Sequence, residues 1–462
     1  MVHFQIKGRL LAEWTGGFWV GEYPLSIMGL SFDSRKLTPG SVFIALSYGN
    51  QDGHDFVHDA YNNGANAFIV ERECNLPIPQ LIVSDTMQAL VQISIKVRQE
   101  FKGKMIGVTG SCGKTSTKDI FKLVLGESCH ATPGNWNNSL GVPLSILGLY
   151  NNNFQFSVIE AGINKIGEMG QLSNLIKPNI VVITHLGAAH LEGLGSLDSI
   201  ADEKSKLLKF AKHDAILIAP KSVLNYPSFD SYRSKSIAIV HGERDSSKGY
   251  AKQYIYNWKK LNDLTAEVTL ETQTQKVVYS FSSLSKGMIQ NSVLVIVSAI
   301  ELGLDAKYIT SRLESWSPVE GRGAIRKIGN SIIYQDFYNA NPSSMIDGIK
   351  AFVSCSNYSQ KRLYVIGTMD ELGVDFEHYH ESVAKSIPYR KGDIIKFIGN
   401  EEAVQAYISG AKSSGWDDSE LEYFATIQLF KYKKSHNPES IFLKGSRSCK
   451  LEDLIPVITS VN

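Results

Sequence analysis

The sequence predicts an α/β protein of three domains, and three observations carry that reading. Short, almost fully apolar strands alternate with helical patterns through the middle of the chain, as in a parallel sheet covered on both faces. A glycine-rich loop joins one such strand to a helix. The alternation then restarts after Pro318 and the glycines Gly321 and Gly323. At 462 residues the chain is also too long for one ordinary core.

Taken in order, residues 1–86 read as a small α/β unit, with apolar pieces Val42–Leu46 and Ala67–Val70 flanking a helix-like Phe56–Asn63. A helix through Ala89–Phe101 and the strand Met105–Thr109 follow, then a helix Ser116–Leu125 and the strands Ser157–Glu160 and Ile180–Thr184. The segment 220–285 is polar, with alternating pieces such as Ala266–Leu270, and reads as a β-rich excursion. The last pattern holds strands Ile332–Tyr334, Leu363–Ile366, Ile394–Ile398 and Ile441–Leu443. The expected division is 1–86, a small N-terminal domain; 87–318, a central P-loop domain with a mostly parallel sheet; and 319–462, a C-terminal Rossmann-like domain.

The 47 basic and 46 acidic side chains leave a net charge of +1, so no general attraction for nucleic acid or an anionic membrane is expected. A phosphate-bearing partner would need a local site. The five cysteines, Cys74, Cys112, Cys129, Cys355 and Cys449, form no C-x-x-C pair, which fits a reducing cytoplasm. The first residues make a poor signal peptide. The longest apolar stretch, Ser292–Leu304, is too short to span a bilayer and contains Glu301. A cytoplasmic monomer without membrane insertion is expected.

Thr109, Gly110, Ser111, Cys112, Gly113, Lys114 and Thr115 make up the loop. Glycines let backbone N–H groups approach phosphate oxygens, the helix N-terminus adds partial positive charge, and Lys114 adds a full one. Thr115 offers a hydroxyl to Mg²⁺. Val108 stands where the strict pattern has glycine, and the plain alternative is an ordinary βα turn. Ligands gather beyond the carboxyl ends of parallel strands. There the neighbouring strands end in Glu160 and in Thr184-His185, with His190 five residues on. Hydroxyl, carboxylate and phosphate oxygens suit Mg²⁺, whereas imidazole is unusual for so hard an ion. Glu160 as a helix cap and His190 as a loop histidine are the bland readings. In the expected helix Leu197–Lys212, Lys204 shares an apolar stripe with Leu197, Ala201, Leu208 and Ala211. It either snorkels to water or is modified or paired with an anion.

Together with FDSRKLTPGSVFIAL, DGHDF, TGSCGKTSTK, GNWNNSLGVPL, VIEAGINKIGEM, THLGAAHLEGLGS, GRG, YNANPSSM, GTMDELG and FLKGSR, these residues resemble the Mur ligases, which build the peptide stem of cell-wall precursors. The resemblance runs from Ile27 to Leu454. YNANPSSM and the run Met369–Gly373 point to the last-step member, and the D-N-P-R motif usual in the preceding ligase is absent.

The resemblance implies an ATP-dependent ligase that activates a carboxylate as an acyl phosphate and joins it to an amine. The implied partners are UDP-N-acetylmuramoyl-tripeptide and D-alanyl-D-alanine; the implied cofactors are ATP and Mg²⁺. Carried over by position, Lys114 and Thr115 match phosphate and Mg²⁺ contacts, Glu160 and His190 metal positions, and Lys204 a lysine often carried as a carbamate. Arg322 matches an arginine on the ATP phosphates, Asp336 a ribose contact and Asn291 an adenine-side asparagine. Asp33, Ser34 and Arg35 fall at the uridine diphosphate end, and Asn137 and Asn138 at the acceptor peptide or its sugar. Tyr338, Asn339 and Asn341 belong to the C-terminal wall, while Lys444 and Arg447 are candidates for a substrate carboxylate. His190 and His185 are candidates for the base. Cys112, His185, Thr368 and Lys206 depart from the family's usual residues. The alternatives are the ligase adding the third stem residue and a catalytically degenerate homologue that binds nucleotide or UDP-sugar.

Overall fold

The computed structural model describes residues 2–47, 49–243, 249–432 and 439–460. Three sheets follow one another along the chain. The first has six strands, with Ile27–Ser31, Ser41–Ile44, Ala67–Val70 and Gln80–Ile82 parallel in its middle. Val2–Ile6 and Phe18–Val20 close its two edges antiparallel. The sequence reading had found only two of these strands. Of the others, Phe18–Val20 and Gln80–Ile82 are only three residues long, and Val2–Ile6 is an edge strand interrupted by polar residues. The helix expected at Phe56–Asn63 is a 3₁₀ turn, Gly53–Phe56, followed by Val57–Asn62.

Nine strands form the central sheet. Cys129–Ala131, Phe156–Glu160, Lys104–Thr109, Ile180–Ile183, Ile216–Pro220, Ser236–His241 and Lys252–Lys260 lie side by side and parallel. Ala266–Glu271 and Lys276–Phe281 then complete the sheet antiparallel. The segment 220–285 is therefore the far side of the same sheet and not an excursion from it. Its alternating strands have one buried and one solvated face (Ala266, Val268 and Leu270 are buried), which is why they read as a separate unit.

Lys104–Thr109 lies between Phe156–Glu160 and Ile180–Ile183. Chain order reverses on either side of it, so the loop that leaves it opens at the sheet's topological switch point. Registry sets Val108 beside Glu160 and Thr109 beside Ile183, so the carboxyl ends of the three strands are level. Helix Lys286–Glu301, which holds most of the apolar stretch Ser292–Leu304, packs against the phosphate-loop helix Lys114–Leu125. No helix among the described residues is long and apolar enough to cross a membrane.

In the C-terminal sheet Ser331–Gln335, Glu439–Lys444, Lys361–Gly367, Ile394–Ile398 and Leu421–Phe424 run parallel, with Ala324–Ile328 antiparallel at one edge. Its carboxyl ends deliver Asp336, Lys444 and Thr368. The expected helix Leu197–Lys212 is cut short: α-helix covers Leu197–Ser205 and tightens to 3₁₀ over Lys206–Leu208. The apolar stripe holds at Ala201 and Leu208, but Leu197 at its start is exposed.

Candidate active site between the central and C-terminal domains

The phosphate loop is shaped by two glycines that nothing larger could replace. Gly110 has φ +150, and a Cβ there would lie 2.0 Å from Thr184 Oγ1. Gly113, the left-handed N-cap of helix Lys114–Leu125, would put a Cβ 2.6 Å from Asn291 Nδ2. Asn291 thus packs directly on the loop. The Thr184 hydroxyl donates to the Cys112 carbonyl at 2.5 Å, and Ser111 N–H donates to the His185 carbonyl at 2.7 Å. The neighbouring strand end therefore fixes the loop's path. Lys114 donates to the Gly110 carbonyl at 2.7 Å, arching back over the loop. Burial holds its pKa below the ordinary lysine value, Glu160 and Cys112 oppose that shift, and Arg322 reinforces it.

Glu160 is buried at the end of its strand. One carboxylate oxygen accepts from Asn137 Nδ2 at 2.7 Å and from the Thr115 hydroxyl at 3.2 Å. Its backbone N–H donates to Thr132 Oγ1 at 2.9 Å. The other oxygen, Oε2, is buried without a hydrogen-bond partner. A buried carboxylate oxygen left bare beside a hydroxyl is costly in isolation and becomes satisfied when a hard cation is bound. The helix-cap reading of Glu160 fails on these partners. Among the described residues no three His, Cys, Asp or Glu side chains converge as a closed metal cage. One carboxylate and one hydroxyl fit Mg²⁺, which takes its remaining ligands from phosphate and water.

Lys204 does not snorkel. It is 1% exposed and its Nζ has no hydrogen-bond partner. Burial, then the nearby charge of Lys114, pushes its pKa well below the usual lysine value. His190 sits within electrostatic reach of both lysines, and its Nδ1 is hydrogen-bonded to Glu371 of the C-terminal domain. Burial holds His185 below its ordinary pKa.

The C-terminal domain closes on this assembly. Asn341 caps helix Pro342–Cys355 through Ser344 N–H and reaches the Ser111 carbonyl of the phosphate loop at 3.4 Å. Arg322, within reach of Lys114, stacks 3.8 Å above the Tyr338 ring, and Arg447 lies 5.7 Å from the same ring. Lys444 is fully enclosed: it is ion-paired to Asp336 at 2.7 Å and donates to the Asp336 and Asn339 carbonyls. Lys444 is thus already partnered within the C-terminal domain. Asp336 is held in place by that pair. Arg447, by contrast, is largely exposed and paired with Glu452.

Other expected residues lie apart from this centre. Asn138 Oδ1 accepts from Leu140 N–H and Gly141 N–H, just ahead of helix Gly141–Leu147. Asp33 and Arg35 pair with each other at 2.9 Å in the N-terminal domain, which holds the Asp33 carboxyl down at about 2. Ser34 is buried beside them. Lys206 pairs with Glu203, whose carboxylate caps the start of helix Glu168–Ile176. Thr368 is buried at a strand end. The sequence reading missed Thr132, Ser343, Asp347 and Glu371. Two of them had a signal: Ser343 lies in YNANPSSM and Glu371 in the run Met369–Gly373.

Comparison with known proteins matches residues 26–105 to the Mur ligase family catalytic domain and 108–299 to the Mur ligase middle domain. The chain belongs to the Mur ligase family. It is 28% identical over 434 residues to the UDP-N-acetylmuramoyl-tripeptide--D-alanyl-D-alanine ligase of Escherichia coli K12, covering 93% of each chain. It is 29% identical over 442 residues to the Bacillus subtilis enzyme of the same name, covering 93% of this chain and 92% of the relative. The crystal structure of MurF from Acinetobacter baumannii superposes with a TM-score of 0.86 at 26% identity, covering all of both chains. Within this family setting, the phosphate loop and Glu160 fall in the middle-domain match, and Arg322, Asp336 and Glu371 fall beyond it.

Proposed function

We propose that this Mur ligase is an ATP-dependent ligase joining D-alanyl-D-alanine to a UDP-N-acetylmuramoyl-tripeptide through an acyl phosphate, in the synthesis of peptidoglycan precursors. The observation that carries the reading is the Glu160 carboxylate at the mouth of the phosphate loop, one oxygen accepting from Thr115 and the other, Oε2, left bare. Residues 1–86 would hold the uridine diphosphate end, 87–318 the ATP, and 319–462 the amine side and part of the nucleotide.

A carboxylate is a poor electrophile. Its oxygen attacks the γ-phosphorus of ATP, ADP leaves, and an acyl phosphate forms. The dipeptide's amine then attacks the carbonyl carbon, phosphate leaves, and the amine proton is released. Bringing two negative charges to about 4 Å costs roughly 4 kcal/mol at an effective dielectric near 20. Lys114 and Arg322 offset that repulsion from two domains. Thr115 and Glu160 would hold Mg²⁺, with His190 and Lys204 close by. When bound, the ion adds charge neutralisation on the phosphoryl oxygens. Burial, reinforced by the charge of Lys114, favours the uncharged amine of Lys204. In that form it adds CO₂ and loses a proton to give a carbamate, an anion where an ammonium would repel the metal. Asn341 on the loop and Arg322 beside Lys114 shield the acyl phosphate from water when the domains meet.

The test is phosphate release from ATP with each substrate alone and with both. Release that requires the UDP-tripeptide and D-alanyl-D-alanine together supports the reading. Release with a single amino acid in place of the dipeptide assigns the chain to the preceding step, and none under any combination makes it a binding protein.

A further inference from the structure

His190 and Glu371 come from different domains and are hydrogen-bonded to each other, Nδ1 to carboxylate. Each also holds a left-handed backbone, φ 56 and φ 60. Only five non-glycine residues among those described do so, and two of the five meet at this contact. Such conformations persist where the surroundings enforce them, and they cluster at functional sites.

Here the enforcement is visible. Met369 N–H donates to Nε2 of the fully buried His380 at 3.0 Å, and His380 Nδ1 donates to the Phe376 carbonyl at 2.7 Å. Asp370 N–H donates to Ser446 Oγ at 2.8 Å. Two anchors thus set the chain immediately before Glu371. On the central side, Glu192 N–H points at the Glu371 carbonyl, and Gly373 lies against the Leu191–Glu192 backbone.

We propose that Glu371 is a positioning residue: docking of the C-terminal domain brings its carboxylate to His190 and fixes the imidazole as the Nδ1–H tautomer, with Nε2 presented to the phosphate-loop site. A carboxylate only accepts, so Nδ1 carries the hydrogen, and in the neutral imidazole Nε2 then keeps its lone pair. Carboxylate partners orient metal-binding histidines in this way, and their loss typically costs about 10–100-fold. The inference rests on the ligase reading above and adds to it how closure completes the site.

Glu371→Gly separates this role from a structural one, because glycine suits the left-handed backbone and should leave the melting temperature undiminished. The variant is expected to lose kcat by about 10–100-fold with little change in KM for ATP. Glu371→Gln, whose amide oxygen still accepts from Nδ1–H, is expected to stay within about threefold of the parent, since geometry and not charge is the requirement. The second readout is ¹⁵N NMR of histidine-labelled protein with adenylyl imidodiphosphate and Mg²⁺, with His190→Ala to assign the signal. The parent should show one fixed tautomer with bare Nε2, and Glu371→Gly should show exchange between two. An unchanged tautomer or kcat in Glu371→Gly, or a Glu371→Gln variant as impaired as it, overturns the proposal. Ligation that survives Lys114→Ala would instead sink the underlying site reading.

Discussion

Asp347 accepts the Ser285 hydroxyl at 2.6 Å and, with the same carboxylate, the backbone N–H groups of Lys286 and Gly287 at 2.9 and 3.0 Å. The N-terminus of the central helix Lys286–Glu301 is thus capped by a side chain of the C-terminal domain, in addition to its own cap Ser285. That helix carries Asn291 against Gly113 of the phosphate loop, so the cap ties domain docking to the nucleotide side of the site. A capping carboxylate contributes about 1–2 kcal/mol. Asp347→Ala should therefore weaken nucleotide binding by roughly 5–30-fold. Calorimetry with ATP analogue measures it, and unchanged affinity would show the cap to be incidental to closure.

Lys114→Ala and Glu160→Gln should each reduce ligation by about 10³-fold or more while the fold survives. The glutamine keeps an oxygen for Thr115 and Asn137 but places an amide where Oε2 stood, so the loss would report the missing anion and not a collapsed network. Substantial residual turnover of either variant, with circular dichroism matching the parent, would contradict the site assignment.

Cys112 lies half-buried in the phosphate loop, and burial pushes its thiol up to about 11. The thiolate is the reactive form. From the ordinary value of 9.0, a rise of two units lowers the thiolate fraction at pH 8 by about 100-fold. Alkylation of Cys112 by iodoacetamide should accordingly be slow and should accelerate as pH rises through 9 to 11. It should also speed up in Asp347→Ala if that variant opens the domain contact. Peptide mass mapping over time gives the rates, and fast labelling of the parent at pH 8 would mean the loop is not enclosed.

Some of this was legible in the sequence because local chemistry and fold agreed. Gly110, Gly113, Lys114 and Thr115 sit between an apolar strand and a helix, and that context alone places a phosphate loop. Glu160 was legible as a residue ending the neighbouring strand, and Lys204 as a lysine on an apolar face. The partners of these residues were not legible, because they depend on registry and docking. Nothing local tells that Asn137 donates to Glu160, that Asp347 caps a helix sixty residues away, or that Glu371 meets His190. Lys444 is a further case: its motif made it a candidate for a substrate carboxylate, and only registry reveals that the end of its strand lies beside Asp336, with which it pairs. The far strands of the central sheet were misread because their alternation reports one solvated face and says nothing of which sheet they join.

Lys204 is the residue for which stability and activity should part company most clearly. A buried amine without a hydrogen-bond partner destabilises the fold by about 1–3 kcal/mol. Lys204→Met, of similar length and apolar, removes that cost. In CO₂-free buffer the variant should melt several degrees above the parent, at roughly 2–4 °C per kcal/mol for a domain of this size, and yet be inactive. The pH dependence gives a second check. The unfolded lysine stays protonated up to about 10.4, while the folded one, depressed by burial and by Lys114, is already neutral well below that. The unfolded state therefore binds more protons in the interval between the two, so parent stability should rise with pH across it. Lys204→Met should lack that slope. Adding bicarbonate should raise the parent's melting temperature through the carbamate and leave the variant's unchanged. A variant that melts no higher than the parent would mean the Lys204 amine is already satisfied.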